Sequence, residues 1–212
     1  MEEKISEILL KINAFTVNTK EPFKFVSGIL SPIYLDCRRL ISFPEERKNI
    51  VDNAVDVVKN EIGLGNIDVI AGGATAGIPL ASWLSDRLNM PMIYVRKKPK
   101  DYGKQRQTEG VLKPGQRVVL LEDMMSKGGS SLNFFNGIKN DGGVMEHCLV
   151  IFEYGYEEAR KSLGNNGIKL HAMSNLDSVL ESGKKMGYFK DEEIEEVKEW
   201  FKDPDKWSEK FK

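Results

Sequence analysis

A short apolar run followed directly by two carboxylates constrains this chain more than any other feature. Residues 118–121 (VVLL) form a continuous apolar segment, which is typical of a parallel strand that is covered on both faces. Glu122 and Asp123 follow, and residues 124–131 (MMSKGGSS) are rich in glycine and serine. We therefore predict a buried strand that ends at Leu121, with a loop at its carboxyl end, where parallel sheets bind their ligands.

The composition of this loop indicates a site for a phosphate. Glycine and serine can turn backbone N–H groups and hydroxyls toward an anion at the start of a helix. Two carboxylates beside a phosphate would repel it, unless they bind hydroxyls or a metal on a phosphorylated sugar. The pattern therefore favours a sugar phosphate with vicinal hydroxyls, and the sequence has no G-x-x-x-x-G-K-[ST] motif of nucleotide triphosphatases. A solvated acidic turn is the alternative for a bare acidic pair.

Apolar strands alternate with helical patterns along the chain. This alternation predicts an α/β fold with a doubly wound parallel sheet and right-handed crossovers. The expected strands cover residues 68–71, 92–95, 118–121, 148–152 and, more weakly, 170–173, and the expected helices cover 44–60, 78–88 and 131–140. Two short strands are expected within residues 23–36, around Ser27 and Gly28. The charged tail from Glu192 predicts a surface helix that ends at Pro204, and whether Trp207 and Phe211 dock or fray is left open.

The length, the net charge and the number of cysteines restrict the class of protein. The 212 residues carry 31 basic and 32 acidic side chains, a net charge of −1, so no nucleic acid or membrane surface is an expected partner. Cys37 and Cys148 are too few for a disulfide framework. With neither a signal peptide nor a membrane span evident, we expect a cytoplasmic protein and a single domain over residues 1–212.

Two more connections carry residues suited to an anionic ligand. Residues 72–77 (GGATAG) lie between a predicted strand and a predicted helix, so their backbone can approach a diphosphate closely. Residues 96–104 (RKKPKDYGK) begin at another strand end and are dense in cations, which is typical of a lid beside an anion site. Residues 23–38 combine aromatic and polar side chains with Arg38; they could hold a flat anionic base or fill a subsidiary core.

Three segments in the same order resemble the orotate phosphoribosyltransferases, a family of type I phosphoribosyltransferases. They are SPIYLDCR at 31–38, GATAGIPLA at 73–81 and YVRKKPKDYGKQRQTEG at 94–110, and the acidic strand end follows them. The resemblance covers nearly the whole chain. It implies the type I phosphoribosyltransferase fold, with a small hood formed by about residues 1–40 and the C-terminal segment.

The resemblance also implies an activity and roles for residues. The family transfers a phosphoribosyl group from 5-phospho-α-D-ribose 1-diphosphate to orotate with Mg²⁺, giving orotidine 5′-monophosphate and pyrophosphate in pyrimidine biosynthesis. The metal is expected through the substrate, with no direct protein ligand, and the lid of one subunit would enter the site of the other in a homodimer. Lys100 and Asp123 would be catalytic, and Ser126 and, by our own inference, Arg38 would contact orotate. The expected contacts to phosphoribosyl diphosphate are Arg96, Lys97, Lys100, Tyr102, Glu122, Asp123, Met124, Met125, Ser126, Lys127, Gly128, Gly129 and Ser130.

Two residues depart from the family pattern. Tyr102 stands where the lid usually carries histidine, and it could still donate a hydrogen bond to the diphosphate. Lys127 stands where the loop usually carries threonine or alanine, and it either adds charge at the 5′-phosphate or crowds the loop. His147 and His171 lie away from every motif, so we expect them to be structural or at the surface.

Two other functions remain to be separated from this one. A phosphoribosyltransferase for another base would release pyrophosphate with that base and not with orotate. A non-catalytic regulator that binds phosphoribosyl diphosphate would release none, and Tyr102 and Lys127 are the features that favour it.

Overall fold

The computed structural model describes residues 1–25, 28–99 and 106–211. Its strands, numbered along the chain, are β1 (Phe15–Val17), β2 (Phe23–Lys24), β3 (Leu30–Ser31), β4 (Ile33–Leu35), β5 (Val69–Gly73), β6 (Met92–Val95), β7 (Thr108–Glu109), β8 (Arg117–Met125), β9 (Val144–Glu153) and β10 (Lys169–Asn175).

The helices cover both faces of the main sheet and one end of it. They are α1 (Glu2–Lys11), α2 (Pro44–Val57), α3 (Gly77–Leu88), α4 (Gly129–Asn140), α5 (Glu157–Gly164), α6 (Leu176–Lys185), α7 (Asp191–Lys202) and α8 (Pro204–Ser208). Shorter helical turns occupy Cys37–Ser42, Val58–Ile62, Leu64–Asn66 and Glu209–Phe211.

Within the described ranges the main sheet has six strands in the order β10-β9-β8-β5-β6-β7. All neighbouring pairs are parallel except β6 with β7, which is antiparallel. The chain leaves β5 toward β6 and leaves β8 toward β9, in opposite directions, so the two strands form a topological switch point. Ligands of such sheets bind at this point, beyond the carboxyl ends of the strands. The predicted doubly wound α/β fold is confirmed.

Strand β8 explains why its sequence is apolar without interruption. Val119 and Leu121 belong to the core under α1, α2, α3 and α6, whereas Val118 and Leu120 belong to the core under α4 and α5. Alternate side chains of a strand point to opposite faces, so both faces of β8 need apolar residues.

The structure corrects several predicted boundaries. Strand β8 continues to Met125, past the predicted end at Leu121, because Glu122 pairs with Val150 and Met124 with Phe152 on β9. The two carboxylates therefore lie within the strand, and α4 begins at Gly129, two residues earlier than expected. Strands β9 and β10 are also longer than predicted. Helix α7 ends before Pro204, as predicted, but that proline then begins the short helix α8.

A small hood covers the carboxyl end of the sheet; we define it as residues 15–25, 28–35 and 191–211. Strand β1 pairs with β4 and strand β2 with β3, and Ser27 of the predicted turn lies outside the described residues. The C-terminal part is fixed to Leu30, whose carbonyl accepts hydrogen bonds from Trp200 Nε1 at 2.9 Å and Ser208 Oγ at 3.3 Å. Trp207 is buried, so the tail docks.

The first helix belongs to the sheet and not to the hood. Ser6 Oγ of α1 lies 2.7 Å from Ser174 Oγ of β10, and Lys185 of α6 pairs with Glu3 at 3.1 Å. The two histidines are structural, as we expected: His171 is buried between His147, at 3.1 Å, and Glu61, at 2.9 Å. Cys37 and Cys148 are buried free thiols. No helix in the described part of the chain is long and apolar enough to span a membrane.

Candidate active site

A polar pocket of about 400 Å³ lies at the switch point between β5 and β8. Three connections that are far apart in sequence meet there: the turn after β5, the carboxyl end of β8 and the segment after β4. Its lining residues are Leu35, Asp36, Arg38, Gly73, Ala74, Thr75, Ala76, Lys97, Glu122, Asp123, Met124, Ser130 and Phe134. Its volume suits a small-molecule ligand.

Glu122 is the most deeply placed acid of this polar pocket. It is 7% exposed and accepts a hydrogen bond from the Ser131 hydroxyl. Burial raises the pKa of Glu122 to about 7, because a charged carboxylate loses hydration there. Burial also raises the pKa of Asp123 above its ordinary value. Near neutral pH, Glu122 therefore changes between a proton-bearing acid and a carboxylate that only accepts hydrogen bonds.

Arg38 and Asp36 form a charged pair at the rim of the same pocket. Arg38 Nε donates to Asp36 Oδ1 at 2.6 Å, and the Arg38 backbone N–H donates to the same oxygen at 3.1 Å. The hydrogen bond from Arg38 holds the pKa of Asp36 below its ordinary value. Because the guanidinium remains more than half exposed, it retains donors for a ligand.

Glycines bring the turn after β5 close to β8. A Cβ on Gly77 would lie 2.2 Å from the Leu121 carbonyl oxygen, and a Cβ on Gly73 would lie 2.7 Å from the Phe134 ring. Only glycine therefore allows α3 to begin against β8 without displacing that strand. The peptide bond between Ala74 and Thr75 in this turn is cis.

The described residues on either side of positions 100–105 are hydrogen-bonded to each other, to α4 and to the residue that follows it. Gln107 Nε2 donates to the Arg96 carbonyl at 2.7 Å, and Asn133 Nδ2 donates to the Lys97 carbonyl at 2.8 Å. Asp141 Oδ2 accepts from the backbone N–H groups of Gln107 and Thr108 and from the Thr108 hydroxyl. The described residues on both sides of positions 100–105 are thus held near α4, whose residues Ser130 and Phe134 line the polar pocket.

An aromatic pocket of about 570 Å³ adjoins the polar one. Leu35 and Met124 line both of them. The lining residues of the aromatic pocket are Phe25, Ile29, Tyr34, Leu35, Met124, Ser126, Lys127, Tyr154, Tyr156, Trp200 and Pro204. Tyr156 stacks on Phe201 with ring centroids 4.6 Å apart, which fixes one wall to α7. Burial raises the pKa of Tyr154 and of Tyr156, so both phenols stay neutral and can donate hydrogen bonds.

The residues expected from the sequence do not all lie in one pocket. Arg38, Lys97, Glu122, Asp123, Met124 and Ser130 line the polar pocket, whereas Ser126 and Lys127 line the aromatic one. Arg96 lies near Glu109, with Nη1 3.5 Å from Oε1, and Met125 is buried in the core under α4 and α5. Gly128 precedes α4 with φ of 79°, and Gly129 is its first residue. Lys100 and Tyr102 lie outside the described residues.

Several residues of the two pockets were missed. Asp36 and Phe134 line the polar pocket, and Trp200 and Tyr156 line the aromatic one. Asp36 lies inside the SPIYLDCR segment, so it could have been identified there. No sequence signal identifies the others, because their approach to the site depends on packing: Trp200 lies on the docked hood, Phe134 on α4, and Tyr156 in the connection between β9 and α5.

The donor set is suited to a metal that arrives with a substrate. Among the residues that the structure describes, no three His, Cys, Asp or Glu side chains are close enough to hold an ion. Glu122 and Asp123 offer carboxylate oxygens in the polar pocket, and Mg²⁺ is commonly held by one or two carboxylates together with substrate phosphates.

The fold and the two pockets define a phosphoribosyltransferase. Residues 43–162, more than half of the chain, match the sequence profile of the Phosphoribosyl transferase domain. A switch-point pocket with adjacent carboxylates and a glycine-rich helix start is the arrangement that this class requires for a phosphorylated pentose.

The chain belongs to the orotate phosphoribosyltransferase family. A relative of that name from Coxiella burnetii is 42% identical over 205 residues, which are 96% of this chain and 97% of the relative. Another from Listeria monocytogenes is 42% identical over 207 residues, 98% of each chain. The crystal structure of orotate phosphoribosyltransferase from Aeropyrum pernix has a TM-score of 0.73 and 29% identity, and covers 88% of this chain and 99% of that one.

Proposed function

We propose that this protein transfers the phosphoribosyl group of 5-phospho-α-D-ribose 1-diphosphate to orotate, which yields orotidine 5′-monophosphate and pyrophosphate in pyrimidine biosynthesis. The observation that carries this proposal is the junction of the two pockets. A polar pocket with adjacent carboxylates shares Leu35 and Met124 with an aromatic pocket. A phosphorylated pentose in the first would present its anomeric carbon to a flat base in the second.

The carboxylates position the sugar. Ionised Glu122 and Asp123 accept hydrogen bonds from the vicinal hydroxyls of the ribose, and Ser130 with the backbone at the start of α4 holds the 5′-phosphate. The raised pKa of Glu122 means that this acid becomes fully ionised only above about pH 7. The ribose hydroxyls then donate to the Glu122 carboxylate the hydrogen bonds that water cannot supply in the buried position.

Bond exchange at the anomeric carbon needs no protein nucleophile. The bond from that carbon to the diphosphate breaks, and its electron pair leaves on the diphosphate oxygen. The lone pair on N1 of orotate forms the new carbon–nitrogen bond, and the N1 proton leaves with the departing diphosphate. Lys97, Lys100 and Arg96 would neutralise the departing diphosphate, and Tyr102 would donate a hydrogen bond to it. Mg²⁺ would arrive with the substrate and would supply further positive charge there, and Glu122 and Asp123 are the carboxylates of the polar pocket that could hold it.

The proposal extends to the assembly. Residues 1–212 would act as one domain in a homodimer whose lids are exchanged, as the family resemblance implies. Ser126 would contact orotate from the aromatic pocket, and Arg38, by our own inference, would reach it from the polar pocket that it lines. The buried free thiols of Cys37 and Cys148 favour a cytoplasmic location.

A pyrophosphate-release assay tests the reaction. The purified protein is incubated with phosphoribosyl diphosphate, Mg²⁺ and, in separate reactions, orotate, uracil or adenine. We expect pyrophosphate and orotidine 5′-monophosphate with orotate, and loss of both in Asp123→Asn or with a chelator. Release with another base alone would identify a different phosphoribosyltransferase, and release with none would favour the regulator.

A further inference from the structure

The aromatic pocket has an unusual distribution of charge. Its wall is built from aliphatic and aromatic side chains, and its polar groups are Ser126, Lys127 and the tyrosine hydroxyls. Lys127 is the only charged residue among the described residues that line it. By contrast, the polar pocket has three acids, Asp36, Glu122 and Asp123, beside its cations. The two halves of the site therefore differ in sign.

The Lys127 ammonium is available to a ligand. Lys127 is exposed and lines the aromatic pocket, and among residues 1–25, 28–99 and 106–211 no carboxylate pairs with it. A cation next to a poorly hydrated aromatic wall attracts an anion more strongly than one in open water, because the local dielectric constant is lower. Since the ammonium itself stays hydrated until the ligand arrives, its own burial costs little beforehand.

We infer that Lys127 selects an anionic base by pairing with its carboxylate, an inference that rests on the proposed transfer to orotate. The sequence left open whether this lysine adds charge at the 5′-phosphate or crowds the loop, and its position in the structure bears on the first of these roles. A lysine that charged the 5′-phosphate would line the polar pocket beside Ser130, yet Lys127 lines the aromatic one. Ser126 lies beside it and offers a hydroxyl to the same ring.

Selection follows from the chemistry of the candidate bases. Orotate is a flat pyrimidine with a carboxylate, and uracil is the same ring without it. The aromatic wall binds both rings, whereas only orotate gains a charge-assisted hydrogen bond from Lys127. The lysine therefore determines discrimination between these two bases and leaves the binding of the sugar phosphate alone.

The test compares two lysines of the same site. Lys127→Met removes the charge and keeps the length, and Lys127→Arg restores a cation. Lys97→Met removes one of the two cations of the polar pocket. We expect Lys127→Met to raise the KM for orotate about tenfold or more, with the KM for phosphoribosyl diphosphate changed less than about twofold. Lys127→Arg should recover most of the loss, and Lys97→Met should show the opposite pattern.

Two readouts keep this inference separate from the function itself. Calorimetric titration of orotate into each variant measures binding without turnover, and circular dichroism checks that each variant is folded. An unchanged affinity for orotate in Lys127→Met, or a raised KM for phosphoribosyl diphosphate instead, overturns the role of Lys127. A wild-type protein that binds orotate through Lys127 but releases no pyrophosphate contradicts the proposed function and leaves the base-binding role standing.

Discussion

In the proposed function, Glu122 links stability to substrate binding in one residue. Glu122 is buried within β8, whereas the proposed contact with the ribose hydroxyls requires its ionised carboxylate. The raised pKa reflects that conflict, because the folded protein holds the proton more tightly than the unfolded chain does. The free energy of unfolding contributed by Glu122 is therefore greatest below pH 4.5 and falls as the pH rises through about 7.

Glu122→Gln should remove this pH dependence. The amide keeps the shape and can still accept from Ser131, but it has no proton to lose. Without substrate, the free energy of unfolding of the wild type should fall by about 3 kcal/mol more than that of the variant as the pH is raised from below 4.5 to 8. Urea unfolding of both proteins across that range measures the difference. Parallel curves would show that Glu122 does not titrate in this range.

Lys100→Ala tests the residue on which the predicted chemistry depends most. If Lys100 has the proposed role beside the departing diphosphate, its loss should lower kcat by about 10²–10³-fold, since charge stabilisation is removed from the transition state. Steady-state kinetics measures the loss, with Lys113→Ala, an exposed lysine away from both pockets, as the control. A normal kcat in Lys100→Ala would refute the assigned role.

At the scale of elements, the contact between α3 and β8 sets the geometry of the polar pocket. Gly77 allows the helix to begin against the Leu121 carbonyl. The same approach places the turn after β5 opposite Glu122 and Asp123. A small change at this contact therefore moves both sides of the sugar site.

Gly77→Ala should destabilise the protein by about 1–3 kcal/mol, because the added methyl group collides with the backbone of β8. Chemical denaturation gives the change in the free energy of unfolding. Gly65→Ala is the matched control: its Cβ would meet nothing within 4 Å, and we expect a change within about 0.5 kcal/mol. Equal effects of the two substitutions would show that the α3–β8 contact can relax.

The sequence predicted elements better than it predicted their ends. Periodicity and turn glycines indicated the parallel sheet, because those signals are local. The end of β8 was wrong because two charges were taken as the strand's end, whereas hydrogen bonds to β9 continue to Met125. The side of the loop that Lys127 occupies could not be predicted, since it depends on how the hood packs on the loop.

For the whole molecule, the hood and the sheet have to stay together for the two pockets to meet. Leu30 accepts hydrogen bonds from two C-terminal residues, so the N-terminal and C-terminal parts of the hood are tied to each other. The proposed homodimer with exchanged lids leads to a specific prediction about the assembly of two chains.

Co-expression of Lys100→Ala with Asp123→Asn tests the shared site. Each variant alone should be inactive. If one chain supplies Lys100 and the other Asp123, a mixed dimer has one intact site, and random assembly in equal amounts should give about a quarter of wild-type activity. Pyrophosphate release from the purified mixture measures it. A mixture as inactive as its parents would mean that each chain completes its own site.

The separation of the two pockets has a consequence for how such a protein can diverge. More than half of the residues around the aromatic pocket belong to the hood, whereas the carboxylates and the glycine turn belong to the sheet. Mutations in the hood can change which nucleobase is accepted, while the residues of the sheet that are proposed to bind the pentose stay unchanged. New base specificities can thus arise on this fold without an intermediate protein that no longer binds phosphoribosyl diphosphate.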